Sequence, residues 1–183
     1  MTDYRQFTRF NVVGASGSGK STIAEEIATR RGVEFIDLDA LFWKPNWTEP
    51  TDEEFFPIVE AALSGDSWSL AGNYTRVVPI KWKRVEVIVW LDLPYPVIFY
   101  QVMKRTMLRS WHKEVLWAGN QESFFKAFFS RDSIILWSLT TMRTVRKKYA
   151  AAMDNPRLAH IHWVRLRSRR EVAAFLEDLS ADG

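Results

Sequence analysis

A chain of 183 residues with 47% apolar side chains has enough material for the core of one compact domain, and we expect no second domain. The sequence contains no cysteine, which excludes disulfides, thiolate nucleophiles and zinc–cysteine sites and fits a reducing compartment. The formal net charge is only +3, which is small for a protein that binds nucleic acid. We expect a cytoplasmic protein without a membrane segment, because charges and prolines break the longest apolar runs and the first residues do not resemble a signal peptide.

Short apolar runs alternate with amphipathic runs along the first half of the chain. The run RFNVVG predicts a buried strand that ends at Gly14, and residues 20–31 place isoleucine and alanine on one face of a helix that stops at Gly32. VEFIDLD predicts a second strand. Thr51 and Glu54 form a capping-box pattern before a helix over EEFFPIVEAAL, and SWSLAGNY predicts a third strand.

The second half continues the same alternation. VEVIVWLDLP is the clearest buried run and predicts a strand that ends at Asp92. Helices are predicted over about 96–110 and about 122–152, a fifth strand over HIHWVRLR, and a last helix capped by Ser168 and Glu171. Strands that alternate with helices predict a five-stranded parallel sheet with helices on both faces, a three-layer α/β/α domain over residues 1–183.

The loop GASGSGKST follows the first strand and precedes the first helix, and it satisfies G-x-x-x-x-G-K-[ST]. Its glycines let the backbone wrap so that successive N–H groups and the helix N-terminus point at the β- and γ-phosphates of a nucleotide. Lys20 is predicted to bridge those phosphates and the Ser21 hydroxyl to ligate Mg²⁺, so ATP and Mg²⁺ are the predicted cofactors. The predicted nucleotide-binding residues of the loop are Gly14, Ala15, Ser16, Gly17, Ser18, Gly19, Lys20, Ser21 and Thr22.

Aspartates end two of the predicted strands. Asp37 and Asp39 are two residues apart, so in an extended chain both carboxylates project to the same side, towards the ligand crevice at the strand ends. We expect Asp37 to support Mg²⁺ and Asp39 to position or deprotonate an acceptor hydroxyl, with a helix cap as the alternative for either. Asp92 is predicted to be a further magnesium ligand, and a turn residue is the alternative interpretation.

Arginines near the strand ends offer positive charge to phosphates. Arg76 follows the third strand and is predicted to hold a phosphate or carboxylate of the acceptor. Arg105 and Arg109 lie four apart on one helix face and are predicted to stabilise the transferring phosphate, with solvated helix arginines as the plainer alternative. Either a wall of the acceptor pocket or ordinary core packing would explain the aromatic residues Phe42, Trp43, Trp47 and Tyr74.

The segments GASGSGKST, DLDALFWKPNW, AGNYTR, WLDLP and LRSRREVAAFL together resemble the adenylate-kinase-like branch of P-loop kinases, and more closely the bacterial topology modulation (FlaR-related) proteins. The resemblance implies an adenylate-kinase-like fold, an acceptor-binding region over about 38–75 and a LID-like segment over about 105–121. It also implies that Arg167 and Arg169 border the adenine. DLD is similar, in addition, to the paired aspartates of shikimate- and gluconate-type kinases, whose second aspartate contacts a substrate hydroxyl.

Together these residues predict an ATP- and Mg²⁺-dependent phosphotransferase that acts on a small molecule, with a nucleoside monophosphate as the default acceptor. A nucleotide-dependent regulator of DNA topology or of a protein partner is one alternative, and a plain NTPase is another. The regulator would use a continuous basic face that includes Arg143, Arg146, Lys147 and Lys148. We expect a small-molecule acceptor as the partner, no membrane association, and a monomer or weak dimer.

Overall fold

The computed structural model describes residues 2–112, 118 and 134–180. Within these residues all five strands form one parallel sheet in the order β2-β3-β1-β4-β5, which confirms the predicted sheet. The strands are β1 (Arg9–Gly14), β2 (Glu34–Asp37), β3 (Trp68–Ala71), β4 (Val87–Leu91) and β5 (His162–Leu166).

Helices connect the strands and cover both faces of the sheet. The α-helices are α1 (Lys20–Arg31), α2 (Leu38–Phe42), α3 (Asp52–Ala62), α4 (Val78–Arg84), α5 (Tyr95–His112), α6 (Ile134–Met153) and α7 (Arg169–Ser180). Short 3₁₀ helices span Tyr4–Gln6, Pro45–Trp47 and Pro156–Leu158. None of the helices within the described ranges has the length and apolar character needed to cross a membrane.

The central strands alternate their side chains between two apolar layers. Val12 of β1 packs with Ile27 of α1 and Phe175 of α7, whereas its neighbour Val13 points to the opposite face. There α2, α3, α4 and α6 close the core, with Tyr149 of α6 among the buried side chains. Every residue of β4 is buried, as expected for a central parallel strand covered on both faces.

The strand order determines where a ligand crevice forms. From β1 the chain crosses over β3 to reach β2, and from β3 it crosses back over β1 to reach β4. The direction of winding therefore reverses between β1 and β3, and ligands of such sheets bind beyond the carboxyl ends of the strands at this point. Two segments meet there, residues 14–20 after β1 and residues 72–77 after β3.

Several predicted boundaries change in the structure. Extended backbone ends at Asp37, because its side chain accepts a hydrogen bond from the Asp39 N–H and caps the short helix α2, which was not predicted. β3 ends at Ala71 rather than continuing to Tyr74, because Gly72 turns the chain with φ +138°. Helix α4 was not predicted either. Much of the predicted LID-like segment and the beginning of the predicted helix over 122–152 lie outside the described residues.

Candidate phosphate-transfer site

The loop after β1 has the form of a phosphate cradle. The Ser18 N–H donates to the Ala15 carbonyl (3.1 Å), and Gly19, at φ +93°, is the N-cap residue of α1. No side chain caps this helix, so its first amides are open to an anion. The Lys20 Nζ donates to the Ala15 carbonyl (3.0 Å), which folds the lysine back over the loop.

Gly17 shows why the loop needs glycine at this position. Its φ is +77°, a conformation that side-chain-bearing residues rarely adopt, and a Cβ there would lie 2.2 Å from Cγ2 of Val102 on α5. The loop therefore packs directly against α5, the helix that leads into the predicted LID-like segment. The spacing of glycines identified the loop from sequence, but its contact with α5 required the structure.

Lys20 lies among charged groups at the end of β2. Burial lowers the pKa of Lys20 to about 8, the carboxylates of Asp39 and Asp37 oppose that change, and the positive charge of Arg105 adds to it. Burial, together with the nearby charge of Asp39, raises the pKa of Asp37, and the nearby Ser21 hydroxyl partly opposes that rise. The structure thus brings Lys20, Ser21, Asp37 and Asp39 together, as the sequence predicted.

The two aspartates do not lie on one extended strand, as the sequence predicted. Asp37 ends β2 and caps α2, while Asp39 is in the first turn of α2. The Tyr74 hydroxyl, from the segment after β3, donates to Oδ1 of Asp39 (2.6 Å). Burial and the neighbouring Asp39 carboxylate raise the pKa of Tyr74, so this phenol remains the donor and Asp39 the acceptor.

Arg76, which follows β3, lies above two rings of the aromatic core. Its guanidinium carbon is 5.1 Å from the ring centroid of Phe42 and 5.9 Å from that of Phe55. Its Nη1 donates to Oδ1 of Asp52 (2.9 Å), and Glu49 lies 4.0 Å away. The arginine is held at the surface by partners that an anionic ligand could replace, since exposed ion pairs contribute at most about 1 kcal/mol.

The aromatic residues near Arg76 divide between core and surface. Phe42 is buried and packs on Tyr74, with ring centroids 4.4 Å apart. Trp43 contacts Phe42 on one side (5.0 Å) and Trp47 on the other (5.4 Å), and Trp47 is 37% exposed. Core packing therefore explains Phe42, whereas Trp43 and Trp47 extend the cluster to the surface beside Arg76 and Tyr74.

Asp92 is buried directly after β4, at the place the sequence indicated, and it is engaged by two arginines. The Arg146 Nε lies 2.5 Å from its Oδ1, and the Arg165 Nη2 lies 2.5 Å from its Oδ2. Arg146 stacks on Tyr95 and Arg165 on Trp90. In this structure the Asp92 carboxylate balances the charges of the two guanidinium groups, so its role as a magnesium ligand stays a prediction. Nothing in the sequence around either arginine indicated this pairing.

The remaining predicted arginines have different outcomes. Arg105 is partly buried in α5, close enough to Lys20 to lower its pKa. Arg109 belongs to α5, but its side chain lies outside the described residues. Arg167 and Arg169 are exposed where β5 leads into α7, and the Asp92 N–H donates to the adjacent Leu166 carbonyl (2.8 Å). Their predicted contact with adenine stays a prediction.

Two of the four α6 cations predicted to form a basic face for a nucleic-acid regulator have polar partners within the protein. Arg146 turns inward to Asp92, and the Lys148 Nζ donates to the Thr75 hydroxyl (2.7 Å). Arg143 and Lys147 remain exposed on α6. The nucleic-acid regulator therefore stays a prediction.

Comparisons by sequence return nothing: no family model matches the chain, and no curated protein matches it. Solved structures do match. A gluconokinase from Sinorhizobium meliloti is 18% identical, with a TM-score of 0.52 over 94% of this chain and 89% of the other. A sugar kinase from a Janibacter species is 21% identical, with a TM-score of 0.50 over 95% and 91%.

A shikimate kinase from Acinetobacter baumannii, solved in complex with shikimate, is 14% identical, with a TM-score of 0.57 over 96% of this chain and 92% of the other. All three are named as kinases. The likeness covers nearly the whole chain, so the chain has the three-layer α/β/α fold of the P-loop NTPases and the predicted fold is confirmed. The closer resemblance to topology modulation proteins stays a prediction.

Proposed function

We propose that this protein is an ATP-dependent kinase that transfers the γ-phosphate to a hydroxyl of a small molecule. The observation that carries the proposal is the carboxylate of Asp39, held by Tyr74 within the electrostatic reach of Lys20. A phosphate-binding lysine and an oriented carboxylate thus share the sheet edge where parallel α/β proteins bind ligands. The kinase names of the structural neighbours agree with this reading.

The residues of the loop fit a magnesium–triphosphate ligand. The uncapped amides of α1 and the partly buried Lys20 would hold the phosphates, and Ser21 with Asp37 would hold Mg²⁺. The described residues contain no cluster of three or more potential metal-ligating His, Cys, Asp or Glu side chains. Protein sites usually bind Mg²⁺ through one or two carboxylates and the substrate phosphates. When bound, Mg²⁺ would neutralise phosphate charge.

The acceptor would lie between Asp39 and Arg76, in the acceptor-binding region over about 38–75. Its hydroxyl oxygen attacks the γ-phosphorus while Asp39 accepts the hydroxyl proton, the bond from the γ-phosphorus to the β–γ bridging oxygen breaks, and ADP leaves. Arg76 would bind an anionic group of the acceptor by exchanging its exposed contact with Asp52. Arg105 and Arg109, at the start of the LID-like segment, would stabilise charge on the transferring group.

The direct test is transfer from γ-labelled ATP with Mg²⁺ to a panel of acceptors. One arm contains nucleoside monophosphates, another contains sugars, sugar acids and shikimate, and a third contains no acceptor. We expect label on a hydroxylated metabolite. Lys20→Ala should abolish transfer and keep the fold, since Lys20 contacts the phosphates; Lys83→Ala, an exposed lysine on α4, is the matched control and should retain activity.

The other outcomes of the panel are equally informative. Label on a nucleoside monophosphate would keep the kinase mechanism and change the acceptor class. Equal release of free phosphate in every arm, lost in Lys20→Ala, would replace the kinase with an NTPase. Full transfer by Lys20→Ala would overturn the mechanism.

A further inference from the structure

The segment after β3 is tied to three different parts of the molecule by consecutive side chains. Asn73 bonds to the phosphate-binding loop, Tyr74 bonds to Asp39 of α2, and Thr75 bonds to Lys148 of α6. The segment lies at the reversal of strand order between β1 and β3, between the proposed donor and acceptor subsites. Neither the Asn73 tie nor the Thr75 tie has a role in the proposed mechanism, and of these two only Asn73 contacts the phosphate-binding loop.

The Asn73 side chain continues the sheet where the backbone of β3 leaves it. The last backbone bond between the two strands runs from the Gly72 N–H to the Val12 carbonyl (3.3 Å). Beyond it, Asn73 Oδ1 accepts from the Gly14 N–H (3.1 Å) and Nδ2 donates to the Gly14 carbonyl (2.5 Å). Both polar backbone groups of the first loop glycine are therefore held by one amide.

A second hydrogen bond holds the oxygen of that amide. The hydroxyl of Tyr149, a buried residue of α6, donates to Oδ1 of Asn73 (3.0 Å). Oδ1 therefore faces two donors, while Nδ2 faces a carbonyl. Rotating the amide by half a turn would place its N–H₂ against the Gly14 N–H and its oxygen against the Gly14 carbonyl, which costs free energy at both contacts, whereas the Tyr149 hydroxyl could accept instead of donate.

We infer that Asn73 is a positioning residue that holds the entrance of the phosphate-binding loop in the geometry needed for nucleotide binding, and that it links this loop to the acceptor side through its neighbour Tyr74. The inference rests on the proposed function for its catalytic consequence. Its structural part, a loop held by the Asn73 amide, stands on the Gly14 and Tyr149 hydrogen bonds alone.

The first experiment compares Asn73→Ala with the wild type by calorimetric titration of Mg²⁺ with AMP-PNP, a non-hydrolysable ATP analogue. Losing both bonds to Gly14 should weaken nucleotide affinity about tenfold. Amide hydrogen exchange should accelerate in the peptide that covers residues 12–21, with or without nucleotide. Thr75→Ala, which removes only the neighbouring tie to Lys148, is the matched control and should leave both measurements unchanged.

A second variant tests whether the donor–acceptor pair is what matters. In Asn73→Asp an ionised carboxylate faces the Gly14 carbonyl, whereas the protonated acid again offers one donor and one acceptor. The nucleotide affinity of Asn73→Asp, divided by that of the wild type at each pH, should therefore recover as the pH falls from about 7 towards about 4, where an ordinary aspartic acid gains its proton. The same ratio for Asn73→Ala should stay flat.

Each result separates the inference from the proposed function. Unchanged exchange in residues 12–21 of Asn73→Ala, or equal pH profiles for the two variants, would overturn the role of Asn73. Faster loop exchange in Asn73→Ala would support that role even if the wild type transferred phosphate to no acceptor, a result that would count against the kinase alone. If Asn73→Ala does not fold, the pH-dependent recovery of Asn73→Asp decides.

Discussion

The donor side and the acceptor side of the proposed site are built in different ways. The phosphate-binding part of the donor side is one uninterrupted stretch, residues 14–22, whose backbone amides and Lys20 form the phosphate cradle. The acceptor side is assembled from separate segments, with Asp39 on α2, Asp52 on α3 and Tyr74 and Arg76 after β3. On the donor side, the geometry of the backbone determines binding. On the acceptor side, a ligand must replace an existing contact between side chains, the one between Arg76 and Asp52.

This difference predicts that the two sides fail differently when mutated. Changes to the donor loop should act on nucleotide affinity, because they alter the backbone that binds it. Changes to the acceptor side should act on transfer and on acceptor affinity while nucleotide affinity stays the same. An acceptor-side variant that lowered nucleotide affinity, or a donor-loop variant that changed only acceptor affinity, would show that the two sides are not separate.

The largest expected effect is that of Asp39→Asn. The amide keeps the size of the side chain but cannot accept the hydroxyl proton, so kcat should fall by roughly 10²–10⁴-fold. Affinity for Mg²⁺ with AMP-PNP should stay within about twofold of the wild type, since Asp39 is assigned to the acceptor. Steady-state kinetics on the acceptor found in the panel, together with calorimetry, measure both quantities.

Glu53→Gln is the control for Asp39→Asn, because Glu53 is an exposed carboxylate on α3 outside the proposed machinery. It should change neither kcat nor nucleotide affinity. If Asp39→Asn lost nucleotide affinity and kept kcat, Asp39 would belong to the donor side and the comparison would fail.

A smaller effect is expected for Gly17→Ala on the donor side. The added Cβ would lie 2.2 Å from Val102 Cγ2 at a φ of +77°, so the loop must shift. Backbone strain of about 1–3 kcal/mol predicts a loss of nucleotide affinity of roughly 5- to 150-fold. Calorimetric titration with Mg²⁺ and AMP-PNP measures it.

Two further variants separate the causes at Gly17. Val102→Ala in the Gly17→Ala background removes the clashing methyl and should recover part of the affinity. Gly19→Ala shares the positive φ, at +93°, but its Cβ would meet nothing within 4 Å, so its loss should be smaller than that of Gly17→Ala. Equal losses for Gly17→Ala and Gly19→Ala would show that the backbone conformation alone is responsible.

The sequence predicted more of the donor side than of the acceptor side for a physical reason. A phosphate loop is a local motif, so spacing alone identified Lys20 and Ser21 and placed them between a strand and a helix. Asp39 was identified through an extended geometry that the structure replaces with the capped helix α2. Its position beside Lys20 could be predicted because residue type and proximity to the strand end sufficed, even though the local conformation differed.

Contacts between distant segments were beyond sequence reasoning. Arg146 and Arg165 converge on Asp92 from α6 and β5, and Asn73, after β3, bonds to Gly14 at the end of the neighbouring strand β1. No periodicity or motif connects such positions, because the pairing depends on strand order and register. The order β2-β3-β1-β4-β5 places β3 beside β1, and Asn73 contacts the phosphate-binding loop because these two strands are adjacent.

A moderate effect confined to the acceptor side is expected for Tyr74→Phe. The substitution removes the hydroxyl that donates to Asp39 and keeps the ring that packs on Phe42. A hydrogen bond to a charged group contributes about 1.5–3 kcal/mol, so kcat/KM for the acceptor should fall by about tenfold or somewhat more. Tyr100→Phe, at an exposed position on α5, should have no effect, and reduced nucleotide affinity in Tyr74→Phe would contradict the separation of the two sides.

The smallest expected effect on activity comes from a second buried lysine. Lys81 of α4 is fully buried and donates to the Gly72 carbonyl (2.9 Å), beneath the segment that carries Asn73 and Tyr74. Burial lowers the pKa of Lys81 from 10.5 to about 7. Lys81→Met should leave phosphate transfer within about twofold of the wild type, because Lys81 lies in the core and contacts no ligand subsite.

The effect of Lys81→Met should appear instead in the pH dependence of stability. The folded protein binds the Lys81 proton with a pKa of about 7, and the unfolded chain binds it with the ordinary value near 10.5. Between these values the unfolded chain holds more protons, so the wild type gains stability as the pH rises from about 7 to about 10.

Methionine has no such titration. Lys81→Met should therefore be more stable than the wild type by about 1–3 kcal/mol at neutral pH, with an advantage that shrinks towards pH 10. Denaturant unfolding of both proteins at several pH values measures the difference in the free energy of unfolding. Lys83→Met, at an exposed position, is the control and should show no difference from the wild type. If Lys81→Met were more stable by the same amount at every pH, packing rather than charge would limit stability beneath the segment that carries Asn73 and Tyr74.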